Sequence, residues 1–521
     1  MGDFIDRNGY VSGVTGRQKR MSVRRNDFVL LLALFVAALI VRLAFVLPSG
    51  FDGLYGQDAY AYYDFAGDLG DAIRTNTAPP SFFWSLGYPA LLLTGFTLGG
   101  EAPHVAQGIS ILMGAMLASL VYILARLLNI TSFSAFGAGA LMIVCGQAIQ
   151  SSVVVMADIP ALFWATLSAI CLLLWRKNML QRWLILAAIL LTFAILSRWI
   201  YLLLAPLWAV VVLVQWRGRI RVVDSAIVLL TVALIFLPQV AFSINSPYPT
   251  LNHAWVEGWS ISNALEQNFV NIDGQFFYEN INAIYYAQVF YEAHYLTPIF
   301  TPLLALGLWA LWRKRELIPA ILLLAWMLIP YMFLIGIPLQ NIRFPLIVMP
   351  AVFVLVGMGV DKVVDWVRNQ SNGDLAGRLY RRSWIGLGII VSLVMYGIVT
   401  MQTHSGALVN TFISNQQRDK NAAFWVEDQL PNNAHLYTFG LTLTLQHYTP
   451  FEVYEIYYET PQTLAENWQH GRTDYLLINV WQIENQWDGR EPQIAYHWLR
   501  DERGLTFIER YDYYTLFRVA G

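Results

Sequence analysis

The chain of 521 residues is 57% hydrophobic and 13% charged, with a formal net charge of −2 at neutral pH. An ordinary soluble protein carries roughly 25% charged residues, so this composition excludes a soluble globular enzyme, and the absence of excess positive charge excludes a nucleic-acid partner. Cys145 and Cys171 both sit in apolar runs, which excludes a disulfide framework and a cysteine-based zinc site.

Arg17, Lys19, Arg20, Arg24 and Arg25 precede the first apolar run, which extends from Phe28 to about residue 47. That run is longer than a signal-peptide core and is followed by no clear small-residue cleavage site. It is expected to remain as a membrane span after a basic cytoplasmic segment, residues 1–27.

Apolar runs of the roughly 17–25 residues that cross a hydrocarbon core recur up to residue 402 and then stop. Eleven spans are expected, near 28–48, 104–128, 131–150, 159–175, 182–197, 200–216, 223–243, 297–312, 317–336, 344–360 and 384–402. Starting inside, the odd number leaves residues 403–521 outside. Lysine and arginine accumulate in cytoplasmic loops, and every loop expected inside has them: Arg126, then Arg176, Lys177 and Arg182, then Arg217, Arg219 and Arg221, then Arg313 to Arg315, then Lys362 to Arg382. The long outer loop 244–296 has none. A multi-pass protein of the cell membrane follows, with its N-terminus cytoplasmic and its C-terminal domain extracytoplasmic. Arg42, Arg74, Arg198 and Arg343 fall instead near outer ends of spans or in outer loops.

The first outer segment, 49–103, is too long for a simple link. Its Gly87 to Leu98 stretch is apolar but too short to span, as in an interfacial or re-entrant helix. The loop 244–296 is rich in Tyr, Asn, Trp and Gln, side chains that stack on and hydrogen-bond to carbohydrate. In the tail, an amphipathic helix is expected over Asn415 to Gln429. Strands are expected over His435 to Phe439, Phe451 to Tyr457, Asp474 to Val480, Leu505 to Arg510 and Tyr513 to Val519. That alternation predicts a small α/β domain, and it contains no dinucleotide, phosphate-loop or metal-ligand motif.

Asp58 stands where the chain first leaves the membrane. On a helix it shares one face with Tyr62, Phe65, Leu69 and Ile73, while Asp64, Asp68 and Asp71 turn to solvent. A carboxylate held against an apolar face is a candidate general base; a helix N-cap is the alternative, and the two roles are compatible. Asp158, in Ala157-Asp158-Ile159-Pro160, carries a helix-start signal; it either caps that helix or is a second outer acid that would orient an acceptor or ligate a metal. Arg198 and Arg343 are charges at the outer membrane boundary, suited to fork-like recognition of phosphate or to snorkelling toward headgroups. Arg42 is expected to pack or to reach headgroups. His253, His294, Glu266, Glu279 and Glu292 decorate the outer loop, and His294 is the one placed to meet a phosphate or metal.

Asp58 with Tyr62 and Ala66, the Gly87-Tyr88-Pro89 helix, Asp158-Ile159-Pro160, Ser197-Arg198 and Arg343-Phe344-Pro345 occur in this order on one side of the membrane. In that pattern the chain resembles the GT-C glycosyltransferases, in particular the PMT/ArnT-like branch that uses polyprenyl-phosphate sugars. The resemblance implies a GT-C-like α-helical polytopic membrane domain over 28–402, followed by an extracytoplasmic α/β domain. It implies Asp58 as catalytic base, Asp158 as second acid and Arg343 at the donor phosphate; beside these, the reading of the residues adds Arg198 at that phosphate and Tyr62, Tyr88 and His294 as candidate substrate contacts. No acid adjoins Asp58, unlike the paired Asp-Glu of protein O-mannosyltransferases, which disfavours a protein acceptor and leaves a divalent metal open.

The expected activity is inverting transfer of a sugar from a polyprenyl-phosphate donor to a lipid, glycan or protein acceptor, among membrane lipids. A lipid-linked glycan transporter is one alternative, disfavoured because no internal repeat appears. A glycan polymerase or ligase is the other, disfavoured by the lack of Lys and Arg over 244–296.

Overall fold

The computed structural model describes residues 25–215, 222–244, 254–271, 273–371, 376–457, 459–467 and 473–520. The basic residues Arg17 to Arg24, the loop arginines Arg217, Arg219 and Arg221, and His253 lie outside the described residues.

Each of the eleven expected spans falls on helix. The first seven map onto α1 (Arg25–Ser49), α4 (Pro103–Leu127), the pair α5 (Ser132–Val144) and α6 (Gly146–Val153), α7 (Asp158–Asn178), α8 (Gln181–Ser197), a 3-10 turn leading into α9 (Ala205–Gln215), and α10 (Val222–Ile244). The remainder map onto Thr301–Lys314, Leu317–Leu334, Phe344–Ser371 and the first half of Ala376–Gln429. Among the described residues, six helices are by themselves long and apolar enough to cross a membrane, and the α5–α6 pair makes a seventh. The protein is thus a polytopic membrane protein. The stretch Phe344–Val367 is the most enclosed of these, whereas α10 has almost no buried residues, as at a rim where lipid would lie.

Two helices stand on the outer segment, α2 (Gly56–Thr75) and α3 (Gly87–Gly99). The thirteen residues of α3 match the short apolar helix expected there. Gly87 is required at its start, because a Cβ there would lie 2.5 Å from the backbone carbonyl of Leu196 at the end of α8. The Leu86 amide donates to the buried side chain of Gln239 on α10 at 2.8 Å, which ties α3 to the bundle.

The α5–α6 pair bends by 55° at Cys145, whose backbone is extended. The long helix Ala376–Gln429 packs against this break. Its Ser405 hydroxyl takes the Val144 carbonyl at 2.7 Å, and a Cβ on Gly146 would come within 2.8 Å of that hydroxyl. The bend turns α6 away from the line of α5, and α6 then supports the site described below.

Ala376–Gln429 is one helix of 54 residues. A span over 384–402 and a separate amphipathic helix over 415–429 were expected, and the two are continuous. The intervening residues contain neither Pro nor Gly apart from Gly406, so nothing interrupts the hydrogen-bond ladder.

The five tail strands form one mixed sheet in the order β4 (Glu452–Glu455), β3 (His435–Thr438), β5 (Asp474–Ile478), β7 (Tyr514–Val519), β6 (Leu505–Tyr511), after the hairpin β1 (Asn268–Asn271) and β2 (Gly274–Phe277) of the outer loop. Strand β3 runs parallel to both neighbours, and β7 is antiparallel to β5 and β6. The parallel strands are connected through helices, as parallel pairing requires.

This domain is docked at two places. Asp52 receives the Lys420 ammonium at 3.0 Å and the Tyr448 hydroxyl at 2.6 Å, and the Leu443 amide donates to Gln57 at 3.3 Å. On the other side the hairpin joins Gln486, through Gln275 N–H to its carbonyl at 2.7 Å and its side-chain amide to the Asp273 carbonyl at 3.0 Å.

Candidate active site

Asp58 lies in the first turn of α2, one residue from the Gln57 that the C-terminal domain holds. The helix starts at Gly56 with Tyr55 in the N-cap position and no side-chain cap. The N-cap alternative for Asp58 is therefore incorrect, and its carboxylate is free for other work. Tyr62 and Phe65 are buried and Leu69 is half-buried, as the helical phase predicts, but Ile73 is 66% exposed because α2 outruns its packing partners. Asp64, Asp68 and Asp71 are all exposed.

Burial, with Asp68 and Glu101 nearby, pushes the Asp64 carboxyl up to about 6. The native state then holds this proton more tightly than the unfolded chain, so stability falls as pH rises from the ordinary aspartate range through about 6. Solvent at this exposed residue moderates the effect. Asp64→Asn should therefore melt above the wild type at pH 8, with the difference vanishing as the pH is lowered through the ordinary aspartate range; thermal unfolding in detergent reads both.

Two buried stitches bring the first outer segment to the end of α6. The Gln107 side chain donates to the carbonyls of Phe51 and Val153 at 3.0 and 2.9 Å, and the Val155 amide donates to Gly53 at 2.8 Å. They place Asp58 beside Met156 and across from Arg343.

Arg343 is positioned by the outer loop. Tyr286 and Tyr295, both buried, donate to the carbonyls of Leu339 (2.8 Å) and Ile342, and the Arg343 amide donates to the side chain of Asn341 at 2.9 Å. The loop's tyrosines were expected to face carbohydrate; these two instead fix the segment that presents the arginine. The guanidinium reaches the Asp58 carboxylate at 3.4 Å and the Met156 sulfur at 2.9 Å.

The pair borders a cavity of about 520 Å³. Its wall comes from four places: Tyr55 to Asp58; Gln150, Ser151, Val154 and Met156; Tyr285 with Gln340 to Arg343; and Phe412 of the long helix. Tyr55 and Phe412 pack against each other with ring centres 4.1 Å apart and their planes tilted by 41°. Among the described residues, Asp58 and Arg343 are the only charged side chains of the wall. A carboxylate and a guanidinium on one cavity can together deprotonate a hydroxyl and steady a departing phosphate.

Asp158 and Arg198 meet each other instead. The Arg198 guanidinium donates to the Asp158 carboxylate at 2.8 Å and lies over the Phe344 ring at 5.4 Å. Asp158 is the first residue of α7, Ala157 occupies the N-cap position and no cap bond forms, so the capping expectation is incorrect. Neither residue lines the cavity. With side chains 5% and 19% exposed, this is a buried pair, and removing one partner strands the other charge at a cost of about 3–5 kcal/mol. Asp158→Asn should lower the melting temperature markedly, and Asp158→Asn with Arg198→Leu should cost less than the two single changes together.

The other expected contacts are buried behind the cavity. Tyr62 and Tyr88 pack edge to face at 5.0 Å, Tyr88 bonds Ser110 at 3.1 Å, and both are almost fully enclosed. Both support the floor beneath α2 and do not line the cavity. His294 is likewise outside the wall; burial lowers it to about 4, with His404 adding to the effect, so it is neutral at pH 7 and carries no charge for a phosphate. Arg42 is fully buried, which rules out a headgroup role, and one of its nitrogens donates to the Ala38 carbonyl at 3.0 Å. Among the described residues no group of three or more His, Cys, Asp and Glu is placed to hold a metal ion.

Gln150, Ser151, Gln340, Asn341 and Phe412 were not anticipated. For the first two a signal exists: Gln147-Ala148-Ile149-Gln150-Ser151-Ser152 is a polar run at the end of an expected span, and polar groups at membrane depth mark functional sites by default.

Residues 102–245, from α4 through α10, match the sequence profile of the family described as dolichyl-phosphate-mannose-protein mannosyltransferase. The crystal structure of ArnT from Cupriavidus metallidurans bound to undecaprenyl phosphate superimposes with a TM-score of 0.60 at 12% identity, over 95% of this chain and 98% of that one. This chain has the GT-C fold. The apo form of the same ArnT gives a TM-score of 0.61. The Archaeoglobus fulgidus oligosaccharyltransferase tethered with an acceptor peptide gives 0.54 at 13% identity, over 87% of this chain and 69% of that one. No curated protein matches the chain by sequence. The GT-C likeness read from the ordered outer residues is thus shown, and the matches to ArnT extend through the C-terminal sheet domain.

Proposed function

We propose that this protein is a membrane glycosyltransferase that moves a sugar from a polyprenyl-phosphate donor to an acceptor hydroxyl at the outer face of the cell membrane. The observation that carries the proposal is the Asp58–Arg343 pair on a single cavity, 3.4 Å apart. The match to a mannosyltransferase family profile and the fold shared with an undecaprenyl-phosphate-bound ArnT support it.

At rest the two charges hold each other. Their side chains are 33% and 22% exposed, and a pair in that setting contributes about 1 kcal/mol or less, so an incoming phosphate readily takes the guanidinium. That exchange frees the Asp58 carboxylate. It then removes the proton of the acceptor hydroxyl as the oxygen attacks the anomeric carbon from the face opposite the phosphate. The bond from that carbon to the phosphate oxygen breaks, and the electron pair leaves on the lipid phosphate beside Arg343. The product has inverted configuration, and the lipid phosphate itself is the activated leaving group. Asp158 and Arg198 act at a distance, holding the start of α7 against the end of α8.

The test is transfer of label from a synthetic polyprenyl-phosphate sugar by the full-length protein in proteoliposomes. Appearance of labelled product with inverted configuration is expected. Movement of the intact lipid-linked sugar across the bilayer without release of its lipid would instead identify a carrier.

A further inference from the structure

Gln150 has an amide with no use inside the fold. It is 8% exposed, it lines the cavity, its Oε1 is buried without a hydrogen-bond partner, and among the described residues none bonds its amide nitrogen. The other side-chain amides of the wall and its serine hydroxyl each have a partner within the protein. Gln57 accepts from Leu443 N–H, Gln340 donates to the Asn280 carbonyl at 2.6 Å, Asn341 accepts from Arg343 N–H, and Ser151 accepts from Gln147 at 3.1 Å. A buried amide acceptor left unmade costs about 1–3 kcal/mol, a cost that a bound ligand removes by supplying the partner.

From this we infer that Gln150 is a specificity-determining residue that hydrogen-bonds a hydroxyl of the transferred glycosyl group. The inference rests on the proposed transfer reaction and names which part of the sugar this site reads. A hydroxyl both donates and accepts, so it satisfies whichever end of the amide rotation presents. An ammonium only donates and a carboxylate only accepts. The wall has no charge to offset either, because its two charged side chains, Asp58 and Arg343, are committed to the acceptor proton and the leaving phosphate. The preferred glycosyl group is therefore neutral at the position that Gln150 contacts. The bend at Cys145 and the Gln107 stitch to Val153 hold α6 rigidly, and a contact from a fixed element discriminates better than one from a mobile loop.

The test uses the full-length protein in nanodiscs and polyprenyl-phosphate glycosides that share one lipid: the parent neutral sugar, monodeoxy analogues lacking each ring hydroxyl in turn, and amino and carboxyl analogues. One deoxy analogue is expected to lose about tenfold or more in kcat/KM with the wild type. Gln150→Leu should lose a similar factor with the parent sugar and nothing further with that analogue, while binding polyprenyl phosphate alone within twofold of wild type. Equal use of every deoxy, amino and carboxyl analogue by the wild type would overturn the inference and leave the transferase intact, as would weakened binding of polyprenyl phosphate alone by Gln150→Leu. The wild-type series decides the matter even where the variant fails to fold. Failure of the wild type to use any lipid-linked sugar in the panel would overturn the proposed function itself.

Discussion

Asp58→Asn should abolish transfer while leaving the donor bound. General base catalysis by a positioned side chain contributes roughly 10²–10⁴-fold, and that is the loss expected in the single-turnover rate with a labelled polyprenyl-phosphate sugar. Asparagine keeps the size and the hydrogen-bonding shape of the side chain but takes no proton at neutral pH. Because the carboxylate holds Arg343 only loosely, its removal should leave the affinity for polyprenyl phosphate unchanged or slightly higher. The combination separates a base from a binding residue: a merely structural Asp58 would lower affinity and thermal stability together. Full transfer by a normally folded Asp58→Asn protein would remove Asp58 from the chemistry.

The second large effect belongs to Arg343. Loss of a single oriented donor to a developing negative charge costs roughly 10²–10³-fold in rate, and the same guanidinium is proposed to bind the donor phosphate before reaction. Arg343→Gln should therefore both weaken polyprenyl-phosphate binding and slow transfer, in contrast to Asp58→Asn. Arg343→Lys restores the charge without the planar fork, so it should recover part of the binding and little of the rate. Wild-type affinity for polyprenyl phosphate in Arg343→Gln would place the phosphate elsewhere in the fold.

Much of this architecture is legible in the sequence, for reasons that differ by region. The helices of the membrane part follow from apolar length, and the tail strands from short β-branched and aromatic runs between turns; β3, β5 and β7 each begin within a residue of expectation. The face of α2 follows from its period, since Tyr62 and Phe65 turn inward where the three aspartates do not. Asp58 and Arg343 were identifiable because charges at an outer membrane boundary are costly without a purpose.

What sequence does not give is which polar groups meet. Arg198 and Arg343 look alike by position, yet the first is spent on Asp158 and the second faces the cavity. Tyr88 sits in a conspicuous Gly-Tyr-Pro turn, but that turn is pressed against α8 and buries the ring. The amides of Gln150 and Asn341 carry no charge and no spacing, so only the bend in α5–α6 and the tyrosine-braced segment before Arg343 bring them to one wall. The aromatic outer loop has a plausible composition for sugar binding, and Tyr285 does line the cavity, yet Tyr286 and Tyr295 serve as braces.

A structure of the full-length protein with polyprenyl phosphate bound tests the central claim most directly. The account predicts a phosphate oxygen within about 3 Å of the Arg343 guanidinium, with the Asp58 carboxylate released from that guanidinium and open to the cavity. A phosphate bound elsewhere, with the Asp58–Arg343 pair intact, would contradict it.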